Sequence, residues 1–95
     1  LAYSSSKASI LSTVKTLSKE LSTYNIRVNA ISPGLTKTDL MTSNTKENIL
    51  KLEIEKIALK RLASTNEISD VILFLASDRS SYINGQNIVV DGGNL

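Results

Sequence analysis

The chain of 95 residues is long enough for one small domain, and its 41% hydrophobic and 21% charged residues are ordinary for a soluble globular protein. Its formal net charge of +2 is too small to indicate a nucleic acid or an anionic membrane as partner. The chain has no Cys and no His, which excludes disulfides, a His-based triad and a Cys- or His-ligated zinc site within it. Proton transfer would therefore depend on Tyr, Lys, Asp or Glu.

The first predicted elements are a helix over residues 3–24 and a strand over residues 26–31. The apolar residues of the helix recur at the spacing of one helical face: Ile10, Val14, Leu17 and Leu21. Asn25 follows, a residue that tolerates the left-handed conformation at a helix end. The strand is β-branched and alternating, and Pro33 with Gly34 is expected to stop it.

Two further helices and a second strand are predicted downstream. Residues 35–45 are rich in Thr, Ser and Asn and predict a loop, and residues 46–62 then carry a helical stripe of Leu50, Ile54 and Ile57. Ser64 and Glu67 have the spacing of a capping box, which opens a third helix. The second strand is Ile-Val-Val at 88–90, with glycines on either side.

This order of elements predicts an α/β fold in which parallel strands are joined by helical crossovers. Two strands are few, since sheets usually hold about 4–6 strands. Both strands are apolar enough to need cover on two faces, and the chain begins with Leu1 rather than Met. We therefore expect the 95 residues to be part of a larger domain.

The candidate acid/base pair is Tyr3 with Lys7, which share one face of a helix at i,i+4. A Tyr has a pKa of about 10, and an ammonium about 5 Å away favours the phenolate by roughly 3 kcal/mol at an effective dielectric constant near 20. Lys7 could thus bring Tyr3 towards a pKa useful for proton transfer. The alternative is an ordinary surface contact, because a Tyr–Lys pair at this spacing arises readily by chance.

The chain resembles the C-terminal part of a short-chain dehydrogenase/reductase. The matching segments occur in the family's order and cover nearly the whole sequence. They are Tyr-Ser-Ser-Ser-Lys-Ala at 3–8, Ile-Arg-Val-Asn-Ala-Ile-Ser-Pro-Gly at 26–34, Asn-Glu-Ile at 66–68, Phe-Leu-Ala-Ser at 74–77, Tyr-Ile-Asn-Gly at 82–85 and Val-Asp-Gly-Gly at 90–93. The resemblance implies the C-terminal part of a Rossmann-like, doubly wound parallel sheet, with residues 1–95 forming one portion of a single domain.

The resemblance also implies an NAD- or NADP-dependent oxidoreductase acting on a small-molecule carbonyl or alcohol. Its general acid/base would be Tyr3, with Lys7 assisting it and holding the nicotinamide ribose. Three further contacts with the nicotinamide end are implied: Pro33, Gly34 and the backbone of Thr36. Thr38 would help hold the cofactor phosphates, and residues 39–62 would form a flap over the substrate.

Further expectations follow from the family. The protein should be cytoplasmic and homo-oligomeric, a dimer or tetramer, with a substrate of the 3-oxoacyl reductase type as the first hypothesis. The family's Gly-rich nucleotide loop, Asn-Ala-Gly segment and catalytic Ser precede the Tyr and are not in this sequence, nor is the residue that selects NAD or NADP. Two alternatives stay open: a non-catalytic binding module with the same fold, and an interaction fragment without activity.

Several conspicuous features have a structural interpretation. The charged residues of 46–61 predict a solvated helix face rather than an anion site. Ser4, Ser5 and Ser6 fit the first turns of a helix rather than the family's catalytic Ser, which lies upstream. Gly92 and Gly93 predict a turn rather than a phosphate cradle, because no helix follows them.

Overall fold

The computed structural model describes residues 2–38 and 46–94, and side chains from Ser6 onward. Within these ranges the predicted order of helix, strand, helices and strand is confirmed. The elements are helix α1 (Ala2–Leu21), a 3-10 turn (Ser22–Tyr24), strand β1 (Ala30–Pro33), helix α2 (Glu47–Glu55), helix α3 (Thr65–Ala76), a second 3-10 turn (Asp78–Ser80) and strand β2 (Asn87–Val90).

The two strands β1 and β2 pair with each other. The Ala30 amide donates to the Gln86 carbonyl at 2.8 Å and the Gly34 amide to the Val90 carbonyl at 2.9 Å. Both strands advance in the same direction along this ladder, so the pair is parallel. The predicted α/β class with parallel strands is confirmed.

The chain divides into two compact units. The first comprises Leu1–Ile31 and Phe74–Ile88, and the second comprises Ser32–Leu73 and Val89–Leu95. Helix α1 belongs to the first unit, and α2 with the segment following β1 belongs to the second.

The first strand lies further along the chain than predicted, at Ala30–Pro33 instead of 26–31. Before Ala30 the chain has no strand among the described residues to pair with, because it lies beside the turn that precedes β2. The Val28 amide donates to Asn84 Oδ1 at 3.0 Å, and the Val28 carbonyl accepts from the Gly85 amide at 2.8 Å. Pro33 is the last residue of β1 and Gly34 follows it, so the predicted end of the strand at Pro33 and Gly34 is confirmed. Pro33 alternates with the residues that donate to β2, so its missing N–H removes no bond from this pair.

The helix predicted over 46–62 is wrong beyond Glu55. Lys60 takes a left-handed backbone with φ of 58°, and Ile57 pairs antiparallel with Asn94. Ile57 is only 1% exposed, and a Cβ on Gly92 would lie 2.9 Å from its Cγ2 atom. The apolar spacing therefore identified a core residue correctly but assigned it to the wrong element.

Burial is sparse among the described residues, where Ile57 is the one fully buried hydrophobic side chain. On α1, Ile10 is 59% and Leu17 is 38% exposed, whereas Val14 and Leu21 are half-buried. Leu73 is 67% and Val89 is 57% exposed. Exposed apolar residues in such number are typical of surfaces that other protein covers.

Candidate functional site

Helix α1 carries the first two candidate residues. Its many hydroxyl side chains are compatible with a helix because they bond to the carbonyls one turn earlier, as Thr13 does to Ser9 at 2.9 Å and Ser18 to Lys15 at 2.7 Å. The backbones of Tyr3 and Lys7 both lie in this helix, so the two residues share a face. Lys7 is half-buried, and the side chain of Tyr3 lies outside the described residues.

The other candidates lie in one continuous segment at the carboxyl end of β1. Pro33 is exposed, Gly34 and Thr36 are half-buried, and Thr38 is exposed. This is the edge of a parallel sheet at which α/β proteins bind ligands. The structure thus places Pro33, Gly34, Thr36 and Thr38 together in the second unit, and Tyr3 and Lys7 in the first.

Gly34 is required by the close approach of another backbone. A Cβ at this position would lie 2.7 Å from both Cα and Cβ of Asp91. At that distance one of the two backbone segments would have to move. Its φ is not left-handed, so the requirement is for space alone. The Gly34 amide donates to Val90 at 2.9 Å, which fixes the first residue after the strand.

The segment that follows is held by a short second pairing. The Thr36 hydroxyl donates to the Gly34 carbonyl at 3.1 Å. Thr36 and Ala63 form a parallel bridge, in which Lys37 donates to Ala63 at 2.7 Å and Ala63 donates to Leu35 at 3.0 Å. The exit from β1 is therefore a fixed loop as far as Lys37. Residues 39–45, the first part of the flap predicted at 39–62, lie outside the described residues.

An ion pair that the sequence did not predict lies in the second unit. Arg61 binds Glu67 with both arms of its guanidinium, at 2.8 and 2.9 Å. The Ser64 amide donates to Glu67 Oε1 at 2.9 Å, and the Glu67 amide donates to Ser64 Oγ at 3.3 Å, which confirms the predicted capping box. The Arg61 hydrogen bond first, and the Ser64 amide second, lower the pKa of Glu67 to about 2.

The rest of the charged run forms exposed ion pairs along α2 and just beyond it. Lys51 lies 3.6 Å from Glu47, and Lys56 lies 3.2 Å from Glu53. Pairs this exposed contribute little to stability. Their arrangement agrees with the interpretation of this run as a solvated face.

A small cavity of about 120 Å³ lies beside the Arg61–Glu67 pair. Its walls include Leu35, Val90 and Gly92. It is smaller than the 300–1,000 Å³ typical of ligand pockets, and Thr36 and Thr38 do not line it. The cavity is therefore too small for a dinucleotide.

Arg27 organises the turn after α3 in the first unit, a role that the sequence did not predict. Its guanidinium donates to three carbonyls: Ile83 at 3.2 Å, Leu75 at 3.0 Å and Ser77 at 3.1 Å. A cation at a helix C-terminus satisfies carbonyls that have no helical partner. The three carbonyls lie 48–56 residues away in sequence, so only the tertiary structure brings them opposite Arg27.

Asn84 fastens α1 to the chain that leads into β1. Its Oδ1 accepts from the Val28 amide at 3.0 Å, and its Nδ2 donates to the Ser18 carbonyl at 3.3 Å. Asn29 adds a further hydrogen bond between the same segment and the residue before Asn84, because its Nδ2 donates to the Ile83 carbonyl at 3.0 Å. The helix that carries Tyr3 and Lys7 is thus anchored at its far end by side-chain amides.

Residues 2–38 and 46–94 contain no helix long and apolar enough to cross a membrane. The same ranges bring together no group of three or more Asp or Glu side chains that could hold a metal ion.

Comparison with known proteins places these residues in context. The family model described as Enoyl-(Acyl carrier protein) reductase matches residues 1–94. The 3-oxoacyl-[acyl-carrier-protein] reductase of Thermotoga maritima is 46% identical over 91 residues, which cover 96% of this chain and 37% of that protein. The 2,3-dihydro-2,3-dihydroxybenzoate dehydrogenase of Bacillus subtilis is 43% identical over 101 residues, covering 97% of this chain and 39% of that protein.

Solved structures give the same result. A 3-oxoacyl-[acyl-carrier protein] reductase from Brucella melitensis superposes with a TM-score of 0.88 at 35% identity, covering 96% of this chain and 34% of that one. A 4-hydroxyisoleucine dehydrogenase complexed with NADH superposes with a TM-score of 0.84 at 33% identity, covering 97% and 38%. The chain therefore spans between a third and two fifths of the length of the relatives it matches.

Proposed function

We propose a function from the family to which this chain belongs, the short-chain dehydrogenases/reductases: the protein transfers a hydride between NAD(P) and a carbonyl or alcohol. The observation that carries the proposal is the match of residues 1–94 to the family, with Tyr3 and Lys7 at i,i+4 on α1. The relatives named above are all reductases or dehydrogenases, and one of the solved structures is complexed with NADH.

Tyr3 would be the general acid/base of this reaction. In the reducing direction its hydroxyl donates a proton to the substrate oxygen, and in the oxidising direction the phenolate removes it. Lys7, one helical turn away, stabilises the phenolate and donates to the ribose next to the nicotinamide. The bound nicotinamide supplies or accepts the hydride.

The segment after β1 fits the nicotinamide end of such a cofactor. Gly34 has no side chain where a Cβ would collide with Asp91, so the loop that would meet the nicotinamide can lie directly against the end of β2. Thr36 is fixed by its bridge to Ala63. Pro33 and Thr38 are both exposed residues. Pro33 would offer an apolar surface to the ring, and Thr38 would offer its hydroxyl to a phosphate oxygen.

We extend the proposal to the substrate, the cofactor and the assembly. The 46% identity to a 3-oxoacyl-[acyl-carrier-protein] reductase favours a 3-oxoacyl thioester as substrate. A cyclic alcohol is the alternative substrate, because trans-4-hydroxycyclohexanecarboxylate dehydrogenase of Sinomonas cyclohexanicum is 45% identical over 92 residues.

Either NAD or NADP is compatible with the proposal. A cytoplasmic homodimer or homotetramer is proposed, and the exposed Ile10 and Leu17 on α1 support association. Residues 39–62 would cover the substrate.

The proposal is tested by replacing Tyr3 in the purified protein. Tyr3→Phe removes only the hydroxyl, so turnover of a 3-oxoacyl thioester, followed by NAD(P)H absorbance, should fall by a factor of about 10² or more. Cofactor affinity, measured by fluorescence titration, should change little. Tyr24→Phe is the matched control, because Tyr24 is 73% exposed on the turn after α1. Wild-type turnover in Tyr3→Phe would contradict the assignment.

A further inference from the structure

The dipeptide Asn84-Gly85 joins three segments of the first unit. Asn84 bridges the Val28 amide and the Ser18 carbonyl, at 3.0 and 3.3 Å. The Gly85 amide donates to the Val28 carbonyl at 2.8 Å, and the Gly85 carbonyl accepts from Lys15 Nζ at 3.2 Å. We refer to these four hydrogen bonds as the Asn84 clamp.

The clamp requires glycine at position 85. The backbone there has a φ of +72°, and a Cβ would lie only 2.6 Å from Ser18 Oγ. A side chain would be strained by the backbone conformation and blocked by α1. Gly85 is also buried, so no rearrangement towards solvent relieves the contact.

The clamp also requires a carboxamide at position 84. The Val28 amide needs an acceptor and the Ser18 carbonyl needs a donor. A hydroxyl carries both functions on one oxygen, whereas the Asn carboxamide supplies them from two separate atoms that reach the two partners. A carboxylate would leave the Ser18 carbonyl facing an oxygen. The fold thus selects Asn followed by Gly, the pair in which a backbone amide has least steric hindrance to attacking the preceding carboxamide.

We propose that Asn84 is a deamidation site that the folded structure keeps closed and that unfolding opens. The backbone nitrogen of Gly85 attacks Cγ of Asn84, and the bond from Cγ to Nδ2 breaks with release of ammonia. The five-membered imide that forms is opened by water at either carbonyl. The products are Asp or isoaspartate at position 84, and no oxidant or reductant is consumed.

The folded geometry opposes ring closure at each participating atom. The attacking nitrogen is engaged with the Val28 carbonyl at 2.8 Å. Both ends of the Asn84 carboxamide are bound, so Cγ cannot turn towards Gly85 unless the bonds to Val28 and Ser18 are broken. The Lys15 bond further restrains the carbonyl of Gly85. In the unfolded chain all of these restraints are lost.

Conversion would prevent the clamp from re-forming. Asp at position 84 lacks the donor for Ser18, and isoaspartate also lengthens the backbone by one atom before Gly85. The Ala30–Gln86 bond that starts the parallel ladder lies one residue further on. A chain that has stayed unfolded would therefore carry a covalent mark that weakens this part of the fold, whatever reaction the protein catalyses.

The test compares folded and unfolded protein at one pH and temperature. The purified protein is incubated in neutral buffer with and without denaturing urea, digested with trypsin, and analysed by tandem mass spectrometry. Cleavage after Arg79 places Asn84 in the peptide that begins at Ser80, and cleavage after Arg61 places Asn66 in the peptide 62–79. Asn66 is the internal control, because the bulky Glu67 follows it.

In urea, Asn84 should deamidate faster than Asn66 and yield a mixture of Asp and isoaspartate. In native buffer its rate should be at least roughly tenfold lower, because several hydrogen bonds must open before closure. An Asn84→Gln variant should lose the reaction at this position in urea. Equal rates in native buffer and urea would overturn the proposal, as would a rate in urea no higher than that of Asn66.

A second variant tests the consequence. Asn84→Asp reproduces the product with a normal backbone and should lower the urea concentration at the midpoint of unfolding, because the donor to Ser18 is lost. A midpoint equal to that of the wild type would refute the claim that conversion opens the clamp.

Discussion

Removal of Arg27 and Ser80 should show how the turn after α3 is stabilised. Both side chains serve the same carbonyl: Leu75 accepts from Arg27 at 3.0 Å and from Ser80 Oγ at 2.9 Å. The Ser77 carbonyl also accepts from both, but it keeps a third donor in the Ser80 amide at 3.3 Å. When the two residues are replaced together, the Ser77 carbonyl therefore keeps a backbone donor, whereas the Leu75 carbonyl loses both of its side-chain donors.

The expected losses in unfolding free energy follow from the two side-chain donors that the Leu75 carbonyl has. Arg27→Met removes bonds from a charged donor but leaves each carbonyl another donor, which predicts a loss of about 2–3 kcal/mol in unfolding free energy. Ser80→Ala should cost about 1 kcal/mol, because Arg27 still satisfies Leu75. The double variant leaves the Leu75 carbonyl without side-chain donors and should lose about 1–3 kcal/mol beyond the sum of the single losses.

The assay is equilibrium urea unfolding of the wild type, both single variants and the double variant, monitored by far-UV circular dichroism. Arg27→Lys is the matched control, since it keeps the charge but not the planar fork, and it should recover only part of the loss. Losses that simply add in the double variant would refute the idea that the two donors substitute for each other at Leu75.

Three other outcomes are expected. Lys7→Met should lower turnover, weaken cofactor binding and move the pH–rate profile to higher pH, because Tyr3 loses its neighbouring cation; an unchanged profile with normal affinity would contradict both roles. The pKa of Glu67 is about 2 in the folded protein and about 4.3 in the unfolded chain. Ionised Glu67 therefore stabilises the fold above the unfolded pKa, and this contribution to the free energy of unfolding is lost as the pH falls from about 5 to 2. In acid titrations Glu67→Gln should remove that part of the pH dependence. Gly92→Ala should destabilise the fold by about 1–3 kcal/mol, since φ is +66° and the new Cβ would be 2.9 Å from Ile57; an unchanged midpoint of thermal unfolding would contradict this.

Local signals in the sequence predicted the elements, whereas tertiary contacts set their ends. The capping box at Ser64 and Glu67 is formed by the residues that define it, so it was visible without a structure. The end of α2 depends on the pairing of Ile57 with Asn94, which is distant in sequence. The start of β1 likewise depends on where β2 begins, at Asn87.

The candidate site was predictable to a similar degree. The exit from β1 was identified because Pro and Gly interrupt an apolar run, and the structure places Gly34 where only glycine has room. Arg27 and Asn84 were missed, because the partners of both are carbonyls and amides rather than side chains. Backbone partners leave no pattern in a sequence, since every residue carries the same groups.

The exposed face of α1 bears directly on the proposed chemistry. Ile10 and Leu17 are 59% and 38% exposed on the helix that carries Tyr3 and Lys7. In the first unit the far end of this helix is tied to the chain by Ser18 and Lys15, whereas Ile10 lies between that anchor and the candidate acid/base. A proton donor must be held within hydrogen-bonding reach of the substrate, and a helix fixed at one end holds its other end less firmly. A protein surface packed on Ile10 and Leu17 would hold this end of α1 and so help to position Tyr3. Replacing Ile10 with a charged residue should therefore lower turnover, followed by NAD(P)H absorbance, more than it lowers the urea concentration at the midpoint of unfolding.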